Sequence, residues 1–256
     1  MGHTEERSAT VGQAFAILAI FIFITIPLSL LAGYFLVHNP GCKSLISLVS
    51  YIAQLLLTII IARQFFSIKS IDTAAVRPKI YIISFFGLYA MSTMAELIIS
   101  QIPMPDMIKQ LFENAITLDF AGYLTVGVAA PILEEILFRG IILSLLLKRY
   151  NPQKAILWSA LIFGIAHLNP WQFIAAFMIG YAIGWLFYNT KSIWIGIFIH
   201  WVNNSTGFMI GYITNDINTS VTDWINGPLY QILTFTACAT IILCIYKVLK
   251  KEFSKP

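Results

Sequence analysis

The sequence predicts an all-α polytopic membrane protein with about eight transmembrane helices that enclose an intramembrane polar cavity. Of its 256 residues, 58% are hydrophobic and only 11% are charged, and the mean hydropathy is +0.79. A soluble core cannot bury this much apolar surface. Apolar runs long enough to cross about 30 Å of hydrocarbon, at about 20 residues per crossing, recur from end to end. Because no polar block is large enough for a separate soluble domain, we expect residues 1–256 to form a single membrane domain.

The first apolar run, residues 11–37, is too long for the core of a signal peptide. No small-residue cleavage site follows it, so we interpret it as a transmembrane helix. Hydropathy and helix-breaking residues predict seven further spans, at residues 44–66, 79–101, 121–147, 154–168, 171–188, 192–214 and 227–249.

The segment 103–119, between the third and fourth spans, alternates apolar and polar residues at helical spacing. This pattern predicts a short amphipathic helix that lies on the outer surface of the membrane. Its apolar residues are Met107, Ile108, Leu111, Phe112 and Ile116.

The basic residues flank the predicted spans asymmetrically. With a cytoplasmic N-terminus, the outer loops hold only Lys43 and Lys109, and Arg139 alone lies within the membrane. The cytoplasmic segments hold the rest: Arg7, Arg63, Lys69, Arg77, Lys79, Lys148, Arg149, Lys154, Lys191, Lys247, Lys250, Lys251 and Lys255. This asymmetry predicts that both termini are cytoplasmic. Because the basic residues form no separate face, we expect membrane lipid around the helices and no nucleic-acid partner.

Ionisable side chains recur inside the predicted spans, where a charge in hydrocarbon costs about 2.5–3.5 kcal/mol. Such groups face a protein interior and usually mark a function. They are Glu96, Glu134, Glu135, Arg139, His167 and His200, with Asn203 and Asn204 nearby. Singly, each has a structural explanation as a hydrogen-bonded packing residue. At a rise of about 1.5 Å per residue, however, Glu134, His167 and Asn204 reach nearly one level, roughly 20 Å from the cytoplasmic boundary.

The two adjacent glutamates are expected to have different roles. Glu135 and Arg139 are four residues apart and share a helix face, so we interpret them as a buried ion pair that neutralises both charges. Glu134 is rotated by roughly 100° from Glu135 and has no partner in its own helix. Glu96 lies closer to the outer side, where we interpret it as a structural acid or part of the cavity wall.

The stretch FGIAHLNPWQF predicts a break in the membrane helices. Asn169 and Pro170 end the fifth span after only about 15 residues, which is shorter than a full crossing. Irregular backbone at membrane depth is tolerated only where protein buries it or water reaches it. We therefore expect a hydrated cavity beside His167.

Water, a carboxylate and two histidines in one cavity suit general base catalysis of hydrolysis. Glu134 could take a proton from water while His167 orients that water or protonates the leaving amine. His200 and Asn204, one helical turn apart, could donate hydrogen bonds to the oxyanion, each worth about 2.7–4 kcal/mol in known sites. A zinc ion held by Glu134, His167 and His200 is the alternative. HExxH is absent, so no cofactor is assigned and zinc stays open.

Three motifs follow one another on successive spans: EExxxR (Glu134, Glu135, Arg139), FxxxH (Phe163, His167) and HxxxN (His200, Asn204). Over residues 121–214, these three motifs in this order resemble those of the CPBP family of CAAX proteases and bacteriocin-processing enzymes, also called the Abi family. The first three spans resemble this family only in being membrane helices.

The resemblance implies an eight-helix intramembrane endopeptidase fold like that of the type II CAAX prenyl protease. It implies that Glu134 and His167 activate water and that His200 and Asn204 form the oxyanion hole, while metal dependence stays open. The expected substrate is a peptide or a membrane-anchored protein segment, in a bacterial cell membrane. Peptide maturation or bacteriocin immunity are the expected biological roles.

Two other functions account for the same polar residues. A non-enzymatic scaffold or immunity protein could bind a sensor kinase or a bacteriocin target, with the polar cluster serving as fold-specifying hydrogen bonds. A proton-coupled transporter could use the carboxylate and histidines as a relay. The lack of inverted repeats and of paired broken helices in the sequence argues against the transporter.

Overall fold

The computed structural model describes residues 9–66 and 71–254, with the backbone but not the side chains of residues 111 and 112. The described residues are 84% helical and contain no strand, which confirms the all-α polytopic membrane class. Within these residues we number nine helices: α1 Val11–His38, α2 Lys43–Phe66, α3 Pro78–Ile99, α4 Asp106–Ala115, α5 120–147, α6 Pro152–Ala166, α7 Pro170–Thr190, α8 Ile193–Thr214 and α9 Pro228–Phe253.

Five of these helices are long and apolar enough to cross a membrane, judged by length and composition: α1, α2, α3, α7 and α9. The other three predicted spans are also helical. However, α5 alternates between α and π geometry, α6 has only 15 residues, and α8 carries a histidine and two asparagines near its middle. The count of eight spans therefore stays a prediction.

Some predicted features lie outside the described residues. These include the basic residues Arg7, Lys69 and Lys255, and the side chains of Leu111 and Phe112. Helix α4 occupies part of the segment predicted to be amphipathic, although its position on the membrane surface stays a prediction.

The loop before α3 and the junction between α7 and α8 meet at one end of the bundle. The Ala74 N–H donates to the Lys191 carbonyl at 2.9 Å, and the Ile193 N–H donates to the Asp72 carbonyl at 2.8 Å. At the same end, Glu252 near the end of α9 forms ion pairs with Arg77, at 3.4 Å, and with Lys79. These segments are the ones that the basic residues predict to be cytoplasmic.

The segments predicted to be on the outer side meet at other contacts. The Trp171 indole N–H, at the start of α7, donates to the Ile102 carbonyl just after α3 at 3.1 Å. The Asn218 amide, just after α8, donates to Glu113 on α4 at 2.8 Å. These two contacts thus join segments that the sequence predicts to be on the same side of the membrane.

Two groups of buried apolar side chains hold the helices together. One joins α1, α2, α5 and α6 and includes Ile17, Leu55 and Ile141. The other joins α3, α7, α8 and α9 and includes Ile183 and Leu249.

Only 11% of the most apolar window of α9 is buried. An exposed apolar face suits lipid, which is as apolar as the side chains themselves.

Helix α5 begins at a defined cap. The Asp119 carboxylate accepts a hydrogen bond from the Gly122 N–H at 2.8 Å, and this bond lowers the pKa of Asp119. A side chain at Gly122 would collide with the Thr117 carbonyl, since a Cβ there would lie 1.8 Å from that oxygen. The cap thus needs both an acceptor at 119 and a glycine at 122.

Two π-helical segments, Leu124–Ala129 and Ile136–Leu143, occur within α5. The junction residues between segments keep right-handed helical dihedrals, so the helix continues through them. Glu134 and Glu135 end the α-helical segment Ala130–Glu135 between the two π segments. Such π segments inside α-helices are frequent at functional sites.

The predicted topology can be tested with Cys42, which is exposed in the turn after α1. We expect a membrane-impermeant maleimide to label Cys42 on intact cells in a Cys238→Ala, Cys244→Ala background, because this turn is predicted to face outward. Lys251→Cys in a cysteine-free chain should be labelled only after permeabilisation. The opposite pattern would contradict the predicted sidedness.

Candidate functional site

The residues of the first and third sequence motifs meet between α5 and α8. Glu134, Glu135 and Arg139 on α5 lie beside His200 on α8, and Glu135, Arg139 and His200 are buried. Glu134 faces this cluster and not the lipid, since only 15% of its side chain is exposed.

The predicted ion pair between Glu135 and Arg139 is present. Arg139 Nη1 donates to Glu135 Oε1 at 2.7 Å, and both side chains are almost fully buried. Arg139 Nη2 also donates to the Gly180 carbonyl on α7 at 2.9 Å, and the guanidinium lies 4.6 Å from the centre of the Phe163 ring. The pair therefore connects three helices, α5, α6 and α7, around one buried charge.

Glycines allow the helices to approach this ion pair. A Cβ at Gly180 would lie 2.8 Å from the Phe163 ring, and a Cβ at Gly196 would lie 2.8 Å from Glu135 Oε2. Gly180 belongs to the GxxxG sequence of α7, whose second member, Gly184, packs against Ile156 of α6. The small residues thus permit close helix packing.

His200 lies between the two glutamates. Its Nδ1 is 3.0 Å from Glu135 Oε1, and its Nε2 is 3.8 Å from Glu134 Oε2. Because an ionised carboxylate only accepts hydrogen bonds, we assign the Nδ1 proton to the bond with Glu135. Nε2 then faces Glu134, at a distance too long for a hydrogen bond. The spacing predicts different roles for the two glutamates, but it does not predict the contact of His200 with Glu135.

The two oxygens of Glu134 have different partners. Oε1 accepts a short hydrogen bond from the Tyr51 hydroxyl on α2. Oε2 is buried and has no hydrogen-bond partner among the described residues. A buried acceptor without a partner is normally satisfied by water or a ligand. Oε2 is therefore the atom from which Glu134 can act on a bound molecule.

Sequence reasoning did not identify Tyr51. Its phenol is a polar group within an apolar span, and polar groups at membrane depth point to internal partners. The polar phenol within an apolar span can be noticed in the sequence, but it does not identify the partner residue, which lies 83 residues away.

His167 follows the last residue of α6, and the helix break that the sequence predicts is present. Its Nδ1 lies 2.9 Å from the Phe163 carbonyl, which only accepts, so Nδ1 carries a proton and, in a neutral ring, Nε2 presents a lone pair. Leu168 has a positive φ of 53°, and Asn169 caps α7 by accepting from two backbone N–H groups. The chain thus reverses directly after the histidine.

The Phe163 ring links His167 to the rest of the site. It makes edge contacts with the His167 ring, at a centroid distance of 5.1 Å, and with the His200 ring, at 5.8 Å. The two imidazoles therefore pack on one phenylalanine.

Asn204 lies one turn after His200 on α8 and bonds to a π segment. Its amide donates to the Val126 carbonyl of α5 at 3.0 Å, and its carbonyl oxygen accepts from Asn203 at 3.2 Å. One of the two amide hydrogens of Asn204 is left for a further acceptor.

Two other features lie apart from this site. Glu96 accepts a hydrogen bond from Ser220 at 2.8 Å, as suits a structural acid. A cavity of about 310 Å³ lies at the end of the bundle that holds Arg77 and Glu252. The hydrated cavity predicted beside His167 stays a prediction.

The zinc alternative requires Glu134, His167 and His200 to converge on one ion. In residues 9–66 and 71–254, no three histidine, cysteine, aspartate or glutamate side chains form a group that could hold a metal ion. The side-chain arrangement thus offers no ready set of three ligands. We derive no chemical step through a metal.

Comparisons with known proteins agree with the resemblance stated from the motifs. Residues 116–206 match the family described as "Type II CAAX prenyl endopeptidase Rce1-like". Over 79 residues, 31% of the chain, the sequence is 38% identical to the protein named "Putative membrane peptidase YdiL" of Bacillus subtilis (strain 168). The aligned stretch spans about a third, 32%, of that relative. No solved structure matches. The resemblance to the CAAX protease family is thereby confirmed for the region that carries the three motifs.

The buried ion pair predicts a large stability effect. Arg139→Leu leaves the Glu135 carboxylate buried without its cation, so we expect the unfolding free energy to fall on the order of 3–5 kcal/mol. Thermal unfolding of detergent-purified protein measures this loss. The matched control is Arg149→Leu, because Arg149 is exposed. The double variant Glu135→Gln, Arg139→Leu should recover part of the loss, and equal melting of Arg139→Leu and Arg149→Leu would refute the stabilising role.

Proposed function

We propose that the chain is an intramembrane endopeptidase that hydrolyses a peptide bond with Glu134 as the general base. The observation that carries this proposal is the Glu134 carboxylate, anchored through Oε1 and left without a partner at Oε2, next to His200. A carboxylate with one unoccupied oxygen in a largely buried site is suited to bind and deprotonate a water molecule. The match of residues 116–206 to a prenyl endopeptidase family supports the same reaction class.

In the proposed mechanism, water binds to Glu134 Oε2. His167 accepts a second hydrogen bond from this water through Nε2, because its Nδ1 is engaged by the Phe163 carbonyl. Glu134 takes a proton as the water oxygen attacks the substrate carbonyl carbon. The tetrahedral intermediate then collapses, and its bond to the amine nitrogen breaks. The leaving nitrogen takes the proton, either from Glu134 directly or from His167 after Glu134 has passed the proton to it.

His200 and Asn204 would stabilise the oxyanion. His200 can donate from Nε2 only when both ring nitrogens carry protons, since Nδ1 already donates to Glu135. A cationic His200 is a stronger donor than a neutral one, and preorganised donors of this kind contribute about 2.7–4 kcal/mol each in known sites.

The proposed substrate is a peptide or a membrane-anchored protein segment that can reach Glu134 at membrane depth. We propose a bacterial cell membrane with both termini cytoplasmic, and a role in peptide maturation or bacteriocin immunity. No step of the proposed mechanism requires a cofactor, and zinc stays an alternative. A sensor kinase or a component of a bacteriocin system is the proposed partner outside catalysis.

The peptidase proposal predicts that cleavage depends on one carboxylate. Glu134→Gln should abolish hydrolysis, since an amide cannot take a proton from water. The measurement compares membrane peptidomes of cells carrying wild-type and variant protein, matched for membrane content. The control is Glu96→Gln, which changes another carboxyl in a predicted span that bonds to Ser220 away from the site. Unchanged peptide products in the Glu134→Gln cells would refute the proposal and favour a binding role.

The assignment of Asn204 to the oxyanion hole predicts that its substitution lowers kcat alone. Asn204→Ala should lower kcat by about 10²–10³-fold, the cost of one oxyanion donor in known sites. The rate is measured on a peptide that the peptidome comparison identifies, with Asn218→Ala as the control, because Asn218 bonds to Glu113 outside the site. A kcat equal to that of the control would remove Asn204 from the mechanism.

A further inference from the structure

We propose that Tyr51 is a positioning residue that holds the Glu134 carboxylate in place and keeps it from closing onto His200. This inference rests on the proposed function, in which Glu134 Oε2 binds the reacting water. Tyr51 lies on α2, outside residues 116–206 that match the endopeptidase family. It belongs to none of the three sequence motifs.

The hydroxyl of Tyr51 is held by a well-anchored helix. On the next turn of α2, Leu55 is almost fully buried in the core that joins α1, α2, α5 and α6. The adjacent face carries Gln54, which is also buried and accepts a hydrogen bond from Thr25 on α1 at 3.2 Å. Because both contacts fix α2, the phenol reaches Glu134 from a backbone that cannot easily retreat.

The bond from Tyr51 makes the two oxygens of Glu134 inequivalent. Oε1 accepts from the phenol, while Oε2 has no hydrogen-bond partner among the described residues. The last torsion of a glutamate is broad, so packing alone does not fix the rotation of the carboxylate. A single strong donor at Oε1 fixes this rotation and thereby fixes the direction in which Oε2 points.

The gap between Glu134 and His200 explains why this anchor matters. Oε2 lies 3.8 Å from His200 Nε2, just beyond hydrogen-bond distance. A small rotation of the carboxylate would bring Oε2 within hydrogen-bond distance of Nε2, so that a proton on Nε2 would form a direct bond to it. That bond would occupy Oε2, the atom that must bind water. The Tyr51 hydroxyl opposes this closure because the carboxylate would have to give up its bond to the phenol.

The alternative is that Tyr51 only packs α2 against α5. A packing role depends on the aromatic ring, whereas the positioning role depends on the hydroxyl. Tyr51→Phe removes the hydroxyl and keeps the ring, so it separates the two. Tyr89→Phe is the matched control, because the Tyr89 hydroxyl also forms a hydrogen bond between two helices, to Thr206 at 2.8 Å, without contacting Glu134.

The kinetic experiment measures kcat and KM of detergent-purified Tyr51→Phe and Tyr89→Phe on a peptide cleaved by the wild type. We expect Tyr51→Phe to lower kcat by about 10- to 100-fold, the worth of a hydrogen bond to a charged group, with KM nearly unchanged. Tyr89→Phe should keep the wild-type kcat. A wild-type kcat in folded Tyr51→Phe would overturn the inference. The proposed function would still stand in that case, provided that Glu134→Gln is inactive.

A second readout does not depend on peptidase activity. Dicyclohexylcarbodiimide is an apolar reagent that modifies protonated carboxyl groups, and mass spectrometry locates the modified residue. The Tyr51 hydroxyl occupies Oε1 of Glu134, so its removal frees this oxygen and should change the rate of modification at Glu134 while leaving that at Glu96 unchanged. The reaction is run in native membranes, so that a variant too unstable for purification in detergent can still be tested.

The two readouts separate failure of this inference from failure of the proposed function. If the wild type cleaves no peptide but Tyr51→Phe alters modification of Glu134, the peptidase proposal fails and the positioning contact stands. If modification of Glu134 proceeds equally in wild type, Tyr51→Phe and Tyr89→Phe, the positioning role is overturned whatever the activity.

Discussion

The ion pair between Glu135 and Arg139 is the constraint on which the rest of the site depends. Two charges buried among membrane helices are tolerated only when each is paired and hydrogen-bonded. Here the guanidinium also donates to the Gly180 carbonyl and lies over Phe163, while the carboxylate also meets His200. One pair therefore joins α5 to α6, α7 and α8. This arrangement orients His200, because the engaged Nδ1 directs Nε2 towards Glu134.

The adjacent glutamates consequently have different partners although their chemistry is identical. Glu135 binds a cation and an imidazole, both through Oε1, so it contributes structure and charge, while its Oε2 is buried without a hydrogen-bond partner among the described residues. Glu134 has one oxygen bonded to the neutral Tyr51 hydroxyl and one without a hydrogen-bond partner, which lies 3.8 Å from His200 Nε2. The guanidinium paired with Glu135, against the neutral phenol bonded to Glu134, thus distinguishes the supporting carboxylate from the one that we propose as the general base.

The irregular backbone around the site contributes to the same geometry. The π segments of α5 flank the two glutamates, and the carbonyl of Val126 in the first of them accepts from Asn204. The turn after α6 lies beside His167, whose Nδ1 bonds to the Phe163 carbonyl in the last turn of α6. Departures from regular helix geometry are costly in a membrane unless the freed polar groups find partners. Here, side chains of the site provide those partners.

The sequence by itself determined the membrane class, the ion pair of Glu135 with Arg139 and the break after His167. These follow from local rules, since side chains four residues apart share a helix face and proline cannot continue a helix. Only the tertiary structure decided that His200 lies between both glutamates and that Tyr51 binds Glu134. Those contacts join residues 65 and 83 positions apart, on helices whose separation and rotation depend on packing of the whole bundle. Hydropathy and spacing describe each helix alone, so they cannot specify which atoms of two helices meet.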